Sequence, residues 1–353
     1  MAAASHTLSP EHLASLAAYL APRLPGFEGP VEAEAFKGGQ SNPTYRLTTA
    51  GGRWVMRTKP GPAAKLLPSA HAIDREFRVM SALAGTDVPV PRMHLLCEDE
   101  SVIGRAFYVM DCFDGRVLWD PTLPGFDVRT RKRIYDEMNR VIAALHRVDV
   151  KAAGLADYGR PGNYFERQIA RWHKQYQASI TEPIDAMDRL AAWLPAHLPA
   201  SARDESQVAI VHGDYRLDNL MFHATEPKAL GLLDWELSTL GHPLADFSYH
   251  CMAWHIEPSL FRGLAGADLD ALGIPREADY LRLYCARTGR TDADALAGDW
   301  SFYLAYNLFR MAGILQGIAK RVEEGTAADA HAKQAAAAAR PLAEMGWRLA
   351  QQA

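Results

Sequence analysis

Residues Val208–Asp246 read VAIVHGDYRLDNLMFHATEPKALGLLDWELSTLGHPLAD. The apolar run Val208–Val211 fits a short buried strand. It leads into a loop carrying His212, Asp214 and Asn219. Two further strand-like pieces follow, 220–224 and 228–233, and the second ends on Asp234. The order is strand, acidic loop, hairpin, acid.

That order suits phosphoryl transfer. In protein kinases an aspartate base is followed five residues on by a metal-binding asparagine, and a metal-binding aspartate comes after a later strand. Asp214 and Asn219 have that spacing, and Asp234 has that place. The reaction asks the protein mainly to position two oxygens in line and to neutralise charge. Asp214 is therefore expected to accept the proton of an acceptor hydroxyl. Asn219 and Asp234 are expected to hold Mg²⁺, a hard cation that takes a few oxygen ligands from protein. His212 fits an organiser of the loop backbone better than a base. Asp246 opens a helix expected over 243–255 and should brace the same loop through backbone bonds.

HGDYRLDN followed by LLDWE resembles the aminoglycoside phosphotransferase / choline kinase-like family, whose catalytic loop reads H-G-D-x4-N. STLGHPLADFSY is similar to a branch of that family found alone in bacteria or fused ahead of acyl-CoA dehydrogenases. The resemblance runs from about Phe36 to the last helices. It implies an α+β, bilobal protein-kinase-like fold. A small N-lobe, 1–110, would carry an antiparallel sheet and a helix; a hinge would span 111–115; a large, mainly helical C-lobe would span 116–353. ATP would bind between the lobes with Mg²⁺. Met110 would line the back of the nucleotide pocket, and Asp111 and Phe113 would give main-chain contacts to adenine. The branch points to a hydroxyacyl-CoA or a hydroxy acid as acceptor, with a functional link to acyl-CoA metabolism.

Upstream, strands are expected at 31–36, 44–49 and 53–58, with Lys37-Gly38-Gly39-Gln40-Ser41-Asn42 joining the first two. Gly38, Gly39, Ser41 and Asn42 would cover phosphates, because glycine lets the backbone approach and its N–H groups meet phosphate oxygens. Taken alone, two glycines are more often an ordinary hairpin turn. No GxxxxGK[ST] loop is present. The third strand places Arg57 where the family generally has the phosphate-contacting lysine, and Lys59 and Lys65 lie nearby as substitutes. Arginine offers a planar fork where lysine offers a point charge. Glu76, on a helix expected over 69–83, is the natural partner of Arg57.

The chain opens with Ser9-Pro10-Glu11, a helix start with a capping hydroxyl, proline in the first turn and an acid. Helices are also expected at 130–148, 164–179, 185–198, 276–290, 294–323 and 326–351. Trp254, Trp300, Tyr303, Tyr306 and Phe309 could wall a substrate pocket, although an aromatic stripe at helical spacing is more often core. Arg216 and Arg310 could meet an anionic group or pair on the surface.

Composition excludes several classes. The 353 residues are 48% hydrophobic and 23% charged, ordinary globular values, with net charge −4. Nothing forms a basic footprint for nucleic acid. Cys97, Cys112, Cys251 and Cys285 are scattered and read as reduced buried thiols. No apolar run has the length of a membrane span, and a cytoplasmic protein is expected. A homodimer is compatible with the sequence, without a self-complementary patch to argue for it. Three other readings stay open: a kinase-like module that binds nucleotide without turnover, an aminoglycoside-type antibiotic kinase, and a metal-dependent hydrolase using His212, Asp214, Asp234, His242 and Asp246.

Overall fold

Strands β1 (Glu32–Ala35), β2 (Thr44–Thr49), β3 (Gly52–Thr58), β4 (Met93–Cys97) and β5 (Phe107–Asp111) form one sheet in the order β1-β2-β3-β5-β4, with every neighbouring pair antiparallel. The computed structural model describes residues 8–36, 42–60, 72–326 and 330–352. It divides into two compact units, Met1–Arg116 with Leu220–Leu237, and Val117–Asn219 with Ser238–Ala353. The division does not simply follow the chain: residues 220–237, expected in the second lobe, cluster with the first unit.

In the first unit, alternation along β2 buries Tyr45 and Leu47. They join Met56 and Phe107 in a core with Leu16 and Leu20 of helix α1 (Pro10–Leu20). That helix starts as its sequence demands, with the Ser9 hydroxyl accepting from the His12 amide. Helix α2 (Ile73–Leu83) buries Glu76, Val79, Met80 and Leu83 at helical spacing. Residues 69–71, expected at its start, lie outside the described residues. The hairpin Leu220–His223 with Ala229–Leu232 is antiparallel, and the Leu232 amide bonds Pro89 O at 2.8 Å.

The second unit is built around helix Ala293–Glu323. It buries residues on nearly all sides between Phe302 and Gly313 and packs against helices Tyr164–Ser179, Asp185–Ala196, Pro243–Cys251 and Ala339–Ala350. Trp300, Tyr303, Tyr306 and Phe309 are all buried, so this stripe is core. The helix expected over 326–351 is two, Ala330–Ala337 and Ala339–Ala350. Pro341 explains the break: it has no N–H to continue an earlier turn, yet it fits the first turn of a new helix. The strand Ala209–Val211 pairs antiparallel with Thr239–Gly241, which fixes both ends of the decisive stretch. All four cysteines are unpaired; three are buried and Cys112 is half-buried. No helix among the described residues is long and apolar enough to cross a membrane.

Gly51, in the β2–β3 turn, admits no side chain: a Cβ there would stand 1.8 Å from the Gly26 carbonyl oxygen. Gly51→Ala should destabilise the protein by about 1–3 kcal/mol. Gly298→Ala, in open space on the long helix, should be neutral or stabilise by up to about 1 kcal/mol. Urea denaturation of the two variants checks both.

Candidate active site

The loop after strand Ala209–Val211 is held from outside itself. Asp246, in the first turn of helix Pro243–Cys251, accepts the His212 amide on Oδ2 at 2.7 Å and the Gly213 amide on Oδ1 at 2.8 Å. Gly213 has φ +82°, a left-handed conformation that glycine adopts freely. Burial alone would raise the Asp246 carboxyl; the hydrogen bond from His146 and the neighbouring histidines outweigh it and hold the group below the usual range. His146 Nε2 lies 3.3 Å from Asp246 Oδ2, and its Nδ1 meets the Tyr284 hydroxyl at 2.7 Å. His212 is fully buried, and its Nδ1 accepts the Asp214 amide at 3.3 Å. The Tyr215 hydroxyl donates to Met138 O at 2.7 Å and pins the loop to helix Val128–His146.

These bonds leave the Asp214 side chain held by three donors. Tyr249 Oη donates to Oδ1 at 2.6 Å, while Asn219 Nδ2 and Arg216 Nη2 each donate to Oδ2 at 3.0 Å. Asn219 Nδ2 also reaches the Asp214 carbonyl at 2.7 Å. Its amide oxygen accepts no described hydrogen bond. Burial alone would lower the Arg216 guanidinium, but Tyr249, Asp214 and Asp218 raise it above its ordinary value.

In the first unit, Arg57 ends β3 facing three carboxylates. Its Nε lies 3.1 Å from Glu76 Oε2, and its Nη2 lies 2.8 Å from Asp234 Oδ1 and 3.8 Å from Glu236 Oε2. The expected Arg57–Glu76 pair is therefore formed. Glu76 is buried and also accepts from Tyr108 Oη at 3.0 Å and Asn42 Nδ2 at 2.9 Å. Burial pushes its carboxyl up, against Arg57 and these two donors. Burial would lower Arg57, and the carboxylates raise it instead, so it stays charged. Asp234 has φ +64°, unusual for a residue with a side chain, at the turn from strand Ala229–Leu232 into Trp235–Leu237.

Asn42 was expected in the phosphate-covering loop; its amide is instead buried against Glu76. Gly38, Gly39, Ser41 and Lys65 lie outside the described residues. Lys59 is half-buried, with its backbone amide on Ala106 O. Met110 is buried on β5. The Asp111 amide already donates to Arg92 O at 3.0 Å, so that N–H is not free for adenine. The Phe113 ring fills the space beside Gly231, where a Cβ would come within 2.6 Å of it. Asp234 belongs to the first unit and Asp214 and Asn219 to the second.

Three contributors were missed in the sequence: Tyr249, Glu236 and His146. Tyr249 follows Asp246 by one helical turn, a spacing that puts both on one face, and this was the available signal. Glu236 stood in view beside Asp234, but nothing in the sequence aims it at Arg57. His146 comes from a helix distant in sequence, without a local cue. Arg310 was expected on the surface or at an anion. It is buried, donates to Gly213 O, and lies over the Tyr249 ring at 4.7 Å.

Beside Asp214, the second unit contains a small cleft, partly open to solvent. Tyr249 and Arg216 form its wall toward Asp214; Met252, Trp254, Ile256 and Phe261 make it apolar. Asp218 is the acid lining it, paired with Arg216 and Arg262. Trp119, exposed at the rim, stacks under Arg262 at 4.7 Å. Of the aromatic residues considered above, Trp254 lines this cleft.

The family described as "Phosphotransferase enzyme family" matches residues 32–284. The chain belongs to that family. It is 46% identical over 324 residues to mouse acyl-CoA dehydrogenase family member 10, covering 91% of this chain and 29% of the relative. It is 39% identical over 348 residues to rat acyl-CoA dehydrogenase family member 11, covering 96% and 44%. The chain thus spans less than half the length of these curated relatives. A crystal structure from Ralstonia eutropha, assigned as an aminoglycoside phosphotransferase, is 61% identical, with TM-score 0.87 and coverage of 96% and 98%. A choline kinase from Cryptosporidium parvum, 12% identical, shares the fold at TM-score 0.64, covering 96% of each chain. The fold is accordingly the kinase-like α+β fold, with a small antiparallel sheet unit and a helical unit.

Two histidines near the loop make stability depend on pH. His242 and His250 are buried, and burial pushes both down to about 4. In the unfolded chain they titrate near 6.5. Between these values the unfolded state binds protons that the folded state does not, so stability is full above about pH 6.5 and falls as pH drops toward 4. Each histidine should cost about 1.4 kcal/mol per pH unit across that window. Denaturant titrations at pH 7.5 and 5.0 check this. His250→Gln should flatten the slope, and an unchanged slope would remove His250 from the account.

Proposed function

We propose that this chain is an ATP- and Mg²⁺-dependent phosphotransferase acting on the hydroxyl of a small molecule, with a hydroxyacyl-CoA or a related hydroxy acid as acceptor. The observation carrying the proposal is the Asp214 carboxylate, fixed by Tyr249, Asn219 and Arg216 beside an apolar cleft. Asp214 would orient the acceptor hydroxyl and take its proton as the oxygen attacks phosphorus. His212 and Asp246 hold the loop that presents it. Arg57, oriented by Glu76, would contact nucleotide phosphates through its planar fork.

Asn219 and Asp234 would hold Mg²⁺, which supplies charge neutralisation on phosphate oxygens when bound. The donors suit it. Asn219 keeps an amide oxygen outside its hydrogen bonds to Asp214, and Asp234 keeps its second carboxylate oxygen outside the pair with Arg57. Among the described residues no cluster of three or more His, Cys, Asp or Glu could hold a metal. Asn219 and Asp234 each offer an oxygen donor of the kind Mg²⁺ takes from protein.

The acceptor class rests on the apolar cleft and on relatives that carry acyl-CoA dehydrogenase names. A polycationic aminosugar calls for an acidic wall, and the acid lining this cleft, Asp218, is already paired with two arginines. The hydrolase reading is disfavoured because Asp246 is committed to loop amides and His242 to Ser201 O. The inactive-module reading is weakened by Arg57, which makes the ion pair to Glu76.

The test is mass spectrometry for a gain of phosphate on a panel of 3- and 4-hydroxyacyl-CoAs, free hydroxy acids, choline-like alcohols and aminoglycosides with ATP·Mg²⁺. A phosphorylated hydroxyacyl-CoA or hydroxy acid is expected. Asp214→Asn should lower kcat by about 10²–10⁴-fold while keeping the rise in melting temperature on adding ATP·Mg²⁺. No product and no nucleotide stabilisation in the wild type would overturn the proposal.

A further inference from the structure

Asp214 Oδ2 is held from within its own loop, by Asn219 and Arg216. Oδ1 is held from a different element. Its described donor is the Tyr249 hydroxyl at 2.6 Å, from the well-buried helix Pro243–Cys251. The ring that carries the hydroxyl is itself fixed. Tyr249 is buried, and the Arg310 guanidinium covers its face at 4.7 Å while donating to the Gly213 carbonyl. Burial and the nearby Asp214 charge push the phenol up, so it stays protonated and keeps its role as donor. The helix therefore reaches the loop twice from one face: Asp246 takes the His212 and Gly213 amides, and Tyr249 takes the side chain of the next residue.

The loop donors do not replace this hold. Arg216 divides its charge between Asp214 at 3.0 Å and Asp218 at 3.5 Å and also lines the cleft. Without a donor on Oδ1, it would draw the carboxylate to one side. Tyr249 lines the cleft as well, so its bond fixes the carboxylate relative to the wall past which a cleft-bound acceptor reaches it. A carboxylate oxygen that accepts one hydrogen bond retains a lone pair for a second, the acceptor hydroxyl.

We propose that Tyr249 is a positioning residue for phosphoryl transfer, its hydroxyl fixing the Asp214 carboxylate in the orientation that receives the acceptor hydroxyl. The inference rests on the phosphotransferase reading of Asp214. It assigns Tyr249 no contact with the transferred group and makes it act through Asp214.

The test compares wild type, Tyr249→Phe and Tyr176→Phe by crystallography and by steady-state kinetics with the acceptor found in the panel. Tyr249→Phe keeps the ring, its stacking under Arg310 and the cleft wall. Tyr176→Phe controls for loss of a buried tyrosine hydroxyl elsewhere, since Tyr176 Oη accepts from the Ile184 amide. In Tyr249→Phe the Asp214 carboxylate should rotate toward Arg216. Its kcat should fall about 10–100-fold, the scale of a misplaced catalytic group, with KM for ATP within about twofold of wild type. Tyr176→Phe should keep wild-type kcat. An unmoved Asp214 carboxylate in Tyr249→Phe, or a kcat equal to that of Tyr176→Phe, would overturn the inference. A rotated carboxylate in Tyr249→Phe beside a wild type that phosphorylates nothing would uphold the hold on Asp214 and bring down the phosphotransferase reading instead.

Discussion

The Asp246 carboxylate, accepting two consecutive amides, is the interaction on which the loop 212–219 depends. A loop entering from a short strand has backbone donors that its own geometry cannot satisfy, and burying them unpaired is costly. Asp246 satisfies two of them with one buried charge. Charged hydrogen bonds of this kind contribute about 1.5–3 kcal/mol each, which offsets the burial of the carboxylate. Its helix position adds to this, because an acid in the first turn lies at the positive end of the backbone dipoles. Once residues 212 and 213 are fixed, Asp214 is the next side chain and can be aimed.

The two units solve opposite electrostatic problems. In the second, Asp214 is surrounded by three hydrogen-bond donors. In the first, one guanidinium faces Glu76, Asp234 and Glu236, leaving a local excess of negative charge. Such a cluster suits a divalent cation arriving with phosphates, because added positive charge relieves it. The arginine at the family's lysine position fits this setting. The guanidinium lies between two carboxylates, with Nε 3.1 Å from Glu76 Oε2 and Nη2 donating to Asp234 Oδ1 at 2.8 Å, a placement that a lysine ammonium on one stem would not reproduce.

Much of this was legible in the sequence where the signal is local. Asp214, Asn219 and Asp234 were singled out by spacing, and the structure bonds Asn219 to Asp214 within one loop and pairs Asp234 with Arg57. Asp246 as a brace and Glu76 as the partner of Arg57 also followed, the first from a helix start and the second from the family's strand-to-helix pair. Contacts between distant elements were not legible. His146 and Arg310 reach the loop from helices far along the chain, and no periodicity announces the direction of a single buried polar side chain. The final helix was read as one and is two, with Pro341 in the first turn of the second. Asn42 was read as a phosphate contact because it follows Gly38 and Gly39 in the same loop, whereas its side-chain amide bonds the buried Glu76.

The central claim is that a phosphoryl group leaves ATP for a hydroxyl oriented by Asp214. The most direct measurement is a ³¹P NMR time course of the wild-type protein with ATP, Mg²⁺ and each hydroxyacyl-CoA and hydroxy acid of the panel. The account predicts a new phosphate-ester resonance that grows one for one with ADP and is absent with Asp214→Asn. ADP accompanied by inorganic phosphate alone, or an ester that forms equally well with Asp214→Asn, would contradict it.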